Sequence, residues 1–288
     1  MPELPEVELV TKSLEILVKG RKIIAAELVR ERLAPENSPT DFANRLKNAN
    51  INFVRRRGKH ILFDLDNGNT LIAHLRMSGR FMLLPTEREN PKYTHAAFFF
   101  ADETRLVFQD QRHFGFMRIV ETAKLHETKE LKSLAPEPFG EDFTPKYFRD
   151  VLKTSKKSLK EFLLDQTKVT GLGNIYASEA MFLAKVNPQT PANEVPAKKA
   201  NVLFEKIREV LHESIAHGST LNVNPENIDG SYYGGGFSHG WRVYDRENET
   251  CVNCPTAIVR LKQGGRSTYF CPKCQKVGAR TARPHRAR

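Results

Sequence analysis

The sequence predicts an α+β multidomain chain. An antiparallel β-sandwich or barrel with a flanking helix comes first, a helical section follows, and a small hairpin module ends the chain. Three observations carry this. Between about residues 22 and 120, short β-rich apolar runs recur between turn signals. From about residue 145 to 217 the apolar positions return at helical spacing. The only four cysteines fall as two C-x2-C pairs, Cys251/Cys254 and Cys271/Cys274, separated by 16 residues.

The opening Met1-Pro2-Glu3-Leu4-Pro5-Glu6-Val7-Glu8 predicts a helix. Pro5 suits a first helical turn, Glu6 and Glu8 favour its positive end, and Val7, Val10, Leu14 and Leu17 share one face. That leaves Pro2-Glu3 unexplained. Removal of Met1 would expose a secondary amine, which titrates near pH ~8 and forms an iminium with an aldehyde-level carbon; Glu3 beside it could move protons. Strands follow at Ile61–Leu65, Thr70–Leu75, Ala96–Phe100 and Arg105–Phe108, with turns at Asn67-Gly68, Ser78-Gly79 and Asp102-Glu103. The Pro-rich stretch 135–145 reads as a linker. Beyond it, Leu159, Phe162, Leu163 and Gln166 mark one helix, and Val202, Ile207, Val210, Leu211 and Ile215 another. Between them Val169-Thr-Gly171-Leu-Gly173-Asn174 places two glycines before an asparagine able to cap a helix. This is either an ordinary capped turn or an anion site of exposed amides. Residues 218–247 are loop-rich, with Gly234-Gly-Gly236, and the tail from Lys276 is basic and expected to be disordered.

Two tight knuckles presenting four thiolates suit one tetrahedral Zn²⁺, with no position left for a catalytic water, so the metal is expected to be structural. The alternative, two disulfides or inert thiols, fits poorly with the lack of a signal peptide. Between the knuckles, Ile258–Lys262 and Arg266–Phe270 read as strands joined through Gln263-Gly264-Gly265. Forty-five Lys+Arg against 34 Asp+Glu give a net charge of +11, which fits a phosphate-rich partner but equally a merely basic protein. No apolar run reaches the ~18 residues of a membrane span. A reducing cytosol is the expected compartment.

Taken together, Pro2-Glu3-Leu4-Pro5-Glu6, Gly171-Leu-Gly-Asn-Ile-Tyr-Ala-Ser-Glu179 and the two cysteine knuckles make the chain resemble the bacterial formamidopyrimidine-DNA glycosylases, from Pro2 to Cys274. The resemblance implies an N-terminal β-sandwich with flanking helices (1–134), a helix-two-turn-helix DNA-binding domain with its linker (135–218), a lesion-capping loop region (219–247), a zinc finger (248–277) and a basic tail (278–288). It implies a bifunctional glycosylase and abasic-site lyase of base-excision repair. Such an enzyme takes oxidised purines such as 8-oxoguanine and formamidopyrimidines from double-stranded DNA and cleaves abasic strands by β,δ-elimination. It would work as a monomer in the bacterial cytoplasm, associated with the nucleoid, with one structural zinc.

Residue by residue, Pro2 matches the Schiff-base nucleophile and Glu3 its acid/base. Lys59 matches a strand lysine assisting elimination, although alone it reads as part of a solvated basic strand. Arg266 matches the arginine gripping phosphates at the lesion. Asn174 and Lys156 match further phosphate contacts, with Lys157 blurring the second. Met77, Arg112 and Phe114 match the trio that fills the gap left by a flipped base; for Met77 and Phe114 the alternative is core packing. Two positions depart from the family: Tyr93 replaces a DNA-contacting histidine, and His113 stands where a second arginine is common, weakening one backbone contact. The sister branch acting on oxidised pyrimidines usually has glycine where this chain has Leu4. A silent damage-binding protein or a zinc-ribbon DNA-binding factor would not need Pro2, Glu3 and Lys59.

Overall fold

The structure, a computed structural model, describes residues 1–218 and 240–276. The chain folds as two units, with residues 1–132 in the first and 133–216 and 240–276 in the second. The lesion-capping region expected at 219–247 lies outside the described residues up to 239, as does the tail 278–288.

In the first unit, α1 (Leu4–Val18) precedes β1 (Ile23–Leu28), α2 (Pro39–Leu46), β2 (Ile51–Arg57), β3 (His60–Leu65), β4 (Asn69–His74), β5 (Gly79–Pro85), β6 (Thr94–Phe100), β7 (Thr104–Asp110) and β8 (Phe116–Glu121). The strands make two antiparallel sheets, β1-β6-β7-β5 and β2-β3-β4-β8. The fold is therefore a sandwich and not a barrel. Val7, Val10 and Leu14 of α1, Phe42 of α2 and strand residues including Phe63, Phe81, Phe98 and Phe108 share one buried core. Phe81 meets Phe63 and Phe108 edge-on at 5.5 and 5.1 Å, the arrangement aromatic quadrupoles favour. Helix α2 went unpredicted, yet its start signal is in the sequence: Ser38 Oγ accepts from the Asp41 N–H at 3.1 Å and Pro39 follows the cap.

The register of the second sheet gathers connections at one end. Arg57 pairs with His60 across the Gly58-Lys59 turn, His60 pairs with His74, and His74 pairs with Phe116. The segments around Lys59, after His74 and before Phe116 thus share one rim. Helix α1 joins it by running antiparallel to β2: Glu15 accepts from the Val54 N–H, and Glu8 Oε2 accepts from Arg56 Nε at 2.7 Å. As β2 approaches Gly58, the helix runs back toward Leu4.

The second unit holds α3 (Pro145–Lys153), α4 (Leu159–Leu164), α5 (Asn174–Leu183), α6 (Ala197–Ala216) and the hairpin of β9 (Val259–Gln263) and β10 (Arg266–Phe270). Thr144 and Ser158 cap α3 and α4, and Phe143, Phe148, Phe162 and Phe204 pack together between the helices. Two sequence expectations change. Gln166 lies beyond α4, where its amide donates to the Leu164 and Leu172 carbonyls and accepts from the Gly171 N–H. Val202 faces outward on α6. Among the described residues no helix is long and apolar enough to cross a membrane.

Candidate active site

Pro2 and Glu3 are buried at the start of α1, whereas Met1 is 44% exposed. Glu6 Oε2 accepts from the Glu3 N–H at 2.8 Å, which closes the helix start and fixes the peptide after Pro2. Lys59 is not on a solvated strand. It occupies the turn between β2 and β3 and is 6% exposed. Sequence reasoning passed over Arg56, which joins these two places. One edge of its guanidinium meets Glu8 of α1, and Nη1 donates to the Gly58 carbonyl at 3.0 Å, one residue before Lys59. Arg56 and Lys12 hold Glu8 ionised against its burial. The signal lay in the charge pattern, but only the antiparallel run of α1 and β2 reveals it. Behind the turn, His60 and His74 meet edge-on at 4.7 Å. Burial pushes His60 down to about 4 and His74 well below an imidazole's usual range, so both are neutral at working pH.

Met77, Arg112 and Phe114 are exposed on the same rim and do not belong to the core. The Arg112 guanidinium donates to Met77 Sδ at 3.1 Å, so thioether and arginine stand together. Their loop hangs on Asp110, a fully buried carboxylate. It accepts from the Ser78 hydroxyl, the Arg112 N–H at 3.1 Å and the Gly115 N–H at 2.6 Å. Three donors offset the cost of burying one charge. Gly115 is required here, since a Cβ would lie 2.7 Å from the Phe108 ring. Tyr93 lies beside the loop, its carbonyl accepting from the Asp110 N–H.

In the second unit Lys156 is exposed between α3 and α4, while neighbouring Lys157 pairs with Asp165 at 3.5 Å. Asn174 is the first residue of α5, and the cap is Gly173. Its side chain instead donates from Nδ2 to the Ser267 carbonyl at 2.9 Å, and its buried Oδ1 has no hydrogen-bond partner. Ser267 adjoins Arg266, which is exposed at the start of β10 across a turn whose two glycines have φ of 52° and 76°. These values suit the tight hairpin turn that side chains disfavour. Glu179, buried on α5, accepts backbone N–H groups from Arg242, Val243 and Tyr244, each at 2.9 Å. No local pattern around Glu179 points to that role.

The four cysteine sulfurs lie within 4.8 Å of one another. Separations of 3.6 Å for Cys254–Cys271 and Cys254–Cys274, and 3.9 Å for Cys251–Cys274, match the ~3.8 Å edge of a tetrahedron with Zn–S bonds of about 2.3 Å. The Asn253 and Cys274 N–H groups point at Cys251 Sγ and Cys271 Sγ, both at 3.4 Å. The Thr256 N–H draws the Cys254 thiol down to about 6, whereas burial and the adjacent sulfurs push Cys274 up to about 12. Four thiols this close need a cation before all lose their protons. The set suits one structural zinc ion.

Three family models cover most of the chain: the formamidopyrimidine-DNA glycosylase N-terminal domain matches residues 1–117, that family's H2TH domain 134–224, and the zinc finger found in FPG and IleRS 248–277. A formamidopyrimidine-DNA glycosylase of Ligilactobacillus salivarius is 40% identical over 96% of this chain and 99% of its own length. That of Listeria innocua is 41% identical over 96% and 100%. The Lactococcus lactis Fpg has been solved with abasic-site DNA and, as a variant, with DNA containing Fapy-dG. Both structures are 34% identical, with a TM-score of 0.88 over 96% of this chain and 100% of theirs.

Proposed function

The chain belongs to the formamidopyrimidine-DNA glycosylase family of DNA repair, and on that premise we propose that it excises oxidised purines and then cuts the abasic strand through a covalent bond to Pro2. The observation that carries this reading is the convergence of the Pro2-Glu3 helix start with the buried Lys59 turn, linked through Arg56. Once Met1 is removed, the Pro2 nitrogen attacks C1′ of the damaged nucleoside and the base departs with its bonding electrons, taking a proton. The C1′–O4′ bond then breaks, O4′ taking up a proton, and the resulting iminium acidifies the C2′ hydrogens. Loss of one expels the 3′ phosphate by β-elimination, and a second elimination expels the 5′ phosphate. Water then releases the amine and the unsaturated sugar fragment. Glu3 and Lys59 are placed to carry protons in these steps, Lys59 from a site that excludes bulk water.

Met77, Arg112 and Phe114 fill the gap left by the flipped base, with the guanidinium available to the orphaned base and the ring to its neighbours. Lys156, Asn174 and Arg266 grip phosphates, and Tyr93 offers an uncharged hydrogen-bond donor to another. Zinc, when bound, supplies four strong bonds that hold the hairpin under Arg266. DNA lies in the cytoplasm of a bacterial cell, and we place the enzyme there, at the nucleoid.

Borohydride trapping on an 8-oxoguanine:cytosine duplex tests this reading. The protein should become covalently attached to DNA; Pro2→Gly should impair attachment and a retained N-terminal tag should abolish it, while duplex binding persists. Trapping by a protein with a blocked N-terminus would move the nucleophile to a lysine. Faster excision from an oxidised-pyrimidine duplex would favour the sister activity.

A further inference from the structure

His113 sits between Arg112 and Phe114 at the exposed tip of the rim loop, and its partner is buried. His113 Nδ1 lies 3.0 Å from Nε2 of His95, with the rings 12° from parallel. His95 on β6 is 3% exposed, and its carbonyl accepts from the Val29 and Arg30 N–H groups at 2.9 and 3.1 Å. The backbone fixes the approach. His113 has φ 59° and Tyr93 φ 68°, a region few side chains adopt, and the Tyr93 ring meets His113 edge-on at 5.7 Å.

We propose that His113 and His95 form a one-proton switch that adds a cationic phosphate contact to the rim as pH falls. This rests on the DNA-binding reading above. Two nitrogens 3.0 Å apart share one hydrogen. If both rings were imidazolium, two N–H groups would face each other, so the pair carries at most one positive charge. That charge belongs on His113. Burial first, then the adjacent His113 ring and Arg30, push His95 below its ordinary value, with Asp110 pulling the other way. The surroundings are Arg30 beyond β1, Lys92 and Tyr93 before β6, Asp110 at the end of β7, and Arg112 on the loop itself. Lys92 is drawn over the Tyr93 ring at 5.1 Å. In the charged pair, Nε2 of His113, the nitrogen not engaged with His95, is a donor bearing a unit charge on an exposed residue of the rim loop. In the neutral pair that charge is absent.

The test is equilibrium binding of a duplex containing a non-cleavable abasic analogue, from pH 6 to 8.5 at constant ionic strength. Wild-type affinity should fall about 3- to 10-fold with rising pH, as expected for one exposed charge-assisted phosphate contact. His113→Gln should stay at the weak limit throughout. His113→Arg should stay at the tight limit, with a salt slope steeper by about 0.9. In the free protein, ring-nitrogen NMR should show one proton taken up by the pair. Tight binding with the same pH profile in wild type and His113→Gln would overturn the switch alone, as would uptake of two protons above pH 6. Absence of duplex binding at every pH would overturn the DNA reading and this inference with it.

Discussion

On the sandwich rim, Asp110 and Arg56 are tied to backbone and to neighbouring elements over a core of interlocked phenylalanines. Arg266 instead stands on two five-residue strands, above a small cluster of Phe182, Val243, Ile258 and Tyr269 around the cysteines. One region holds its side chains by buried area and buried charge. The other has too little of either and relies on four sulfurs. The difference teaches where each should fail: the rim under substitution of single polar residues, the hairpin under loss of one ion.

Removing zinc is the largest perturbation, because structural zinc contributes roughly 10–16 kcal/mol of apparent binding free energy in small modules. Cys254→Ser, or chelation, should collapse the hairpin and weaken DNA binding, while far-ultraviolet dichroism shows the strand signal of the sandwich intact. Active protein free of zinc by elemental analysis would dissolve the contrast. On the other side, Asp110→Ala removes the acceptor of two loop amides and a hydroxyl. It should cost about 2–4 kcal/mol in urea unfolding and slow excision, with zinc content unchanged.

A finer contrast separates base reading from phosphate grip. Arg112→Ala should narrow the preference for lesion:cytosine over lesion:adenine by about 1–3 kcal/mol. Lys156→Ala should weaken all duplexes alike and flatten the salt slope by about one phosphate. Excision kinetics across opposite bases at two salt concentrations decide it, and interchanged effects would sink the assignment.

Acid titration of the rim gives the smallest effect per residue and per pH unit. His60, held at about 4, and His74, held lower still, stay neutral in the fold, while an unfolded imidazole takes its proton near pH ~6.5. Their contribution is complete above that value. As pH falls from 6.5 toward 4, the unfolded chain gains protons the native state refuses, so stability drops by up to about 1.4 kcal/mol per pH unit per histidine. His60→Phe should have a shallower dependence of Tm on pH across that window. An unchanged slope would show that His60 is not held neutral.

What could be read in advance follows from how far apart the cooperating residues lie. Cys251/Cys254 and Cys271/Cys274, the Gly264-Gly265 turn and the apolar face of α1 were legible because spacing alone fixes their geometry. Asp110 carries no mark in the sequence, since nothing local says a carboxylate there will be buried under three donors. Glu179 finds its backbone partners 63 to 65 residues away. Asn174 can read as a cap or as part of an anion site from its surroundings in sequence; the fold gives the cap position to Gly173 and directs the Asn174 amide to the hairpin.

That amide has a consequence for how the protein is made. Asn174 reaches the Ser267 carbonyl across 93 residues, Asn187 the Gln275 carbonyl across 88, and Gln275 the Val186 carbonyl across 89. At roughly 5–20 residues per second of synthesis, the helical side of this clasp leaves the ribosome about 5–20 s before its other half. In that interval the Asn174 side-chain amide lacks its hairpin acceptor, and the clasp closes last, when the hairpin arrives carrying its metal. A cell short of zinc would therefore accumulate chains whose sandwich is finished and whose clasp has never shut.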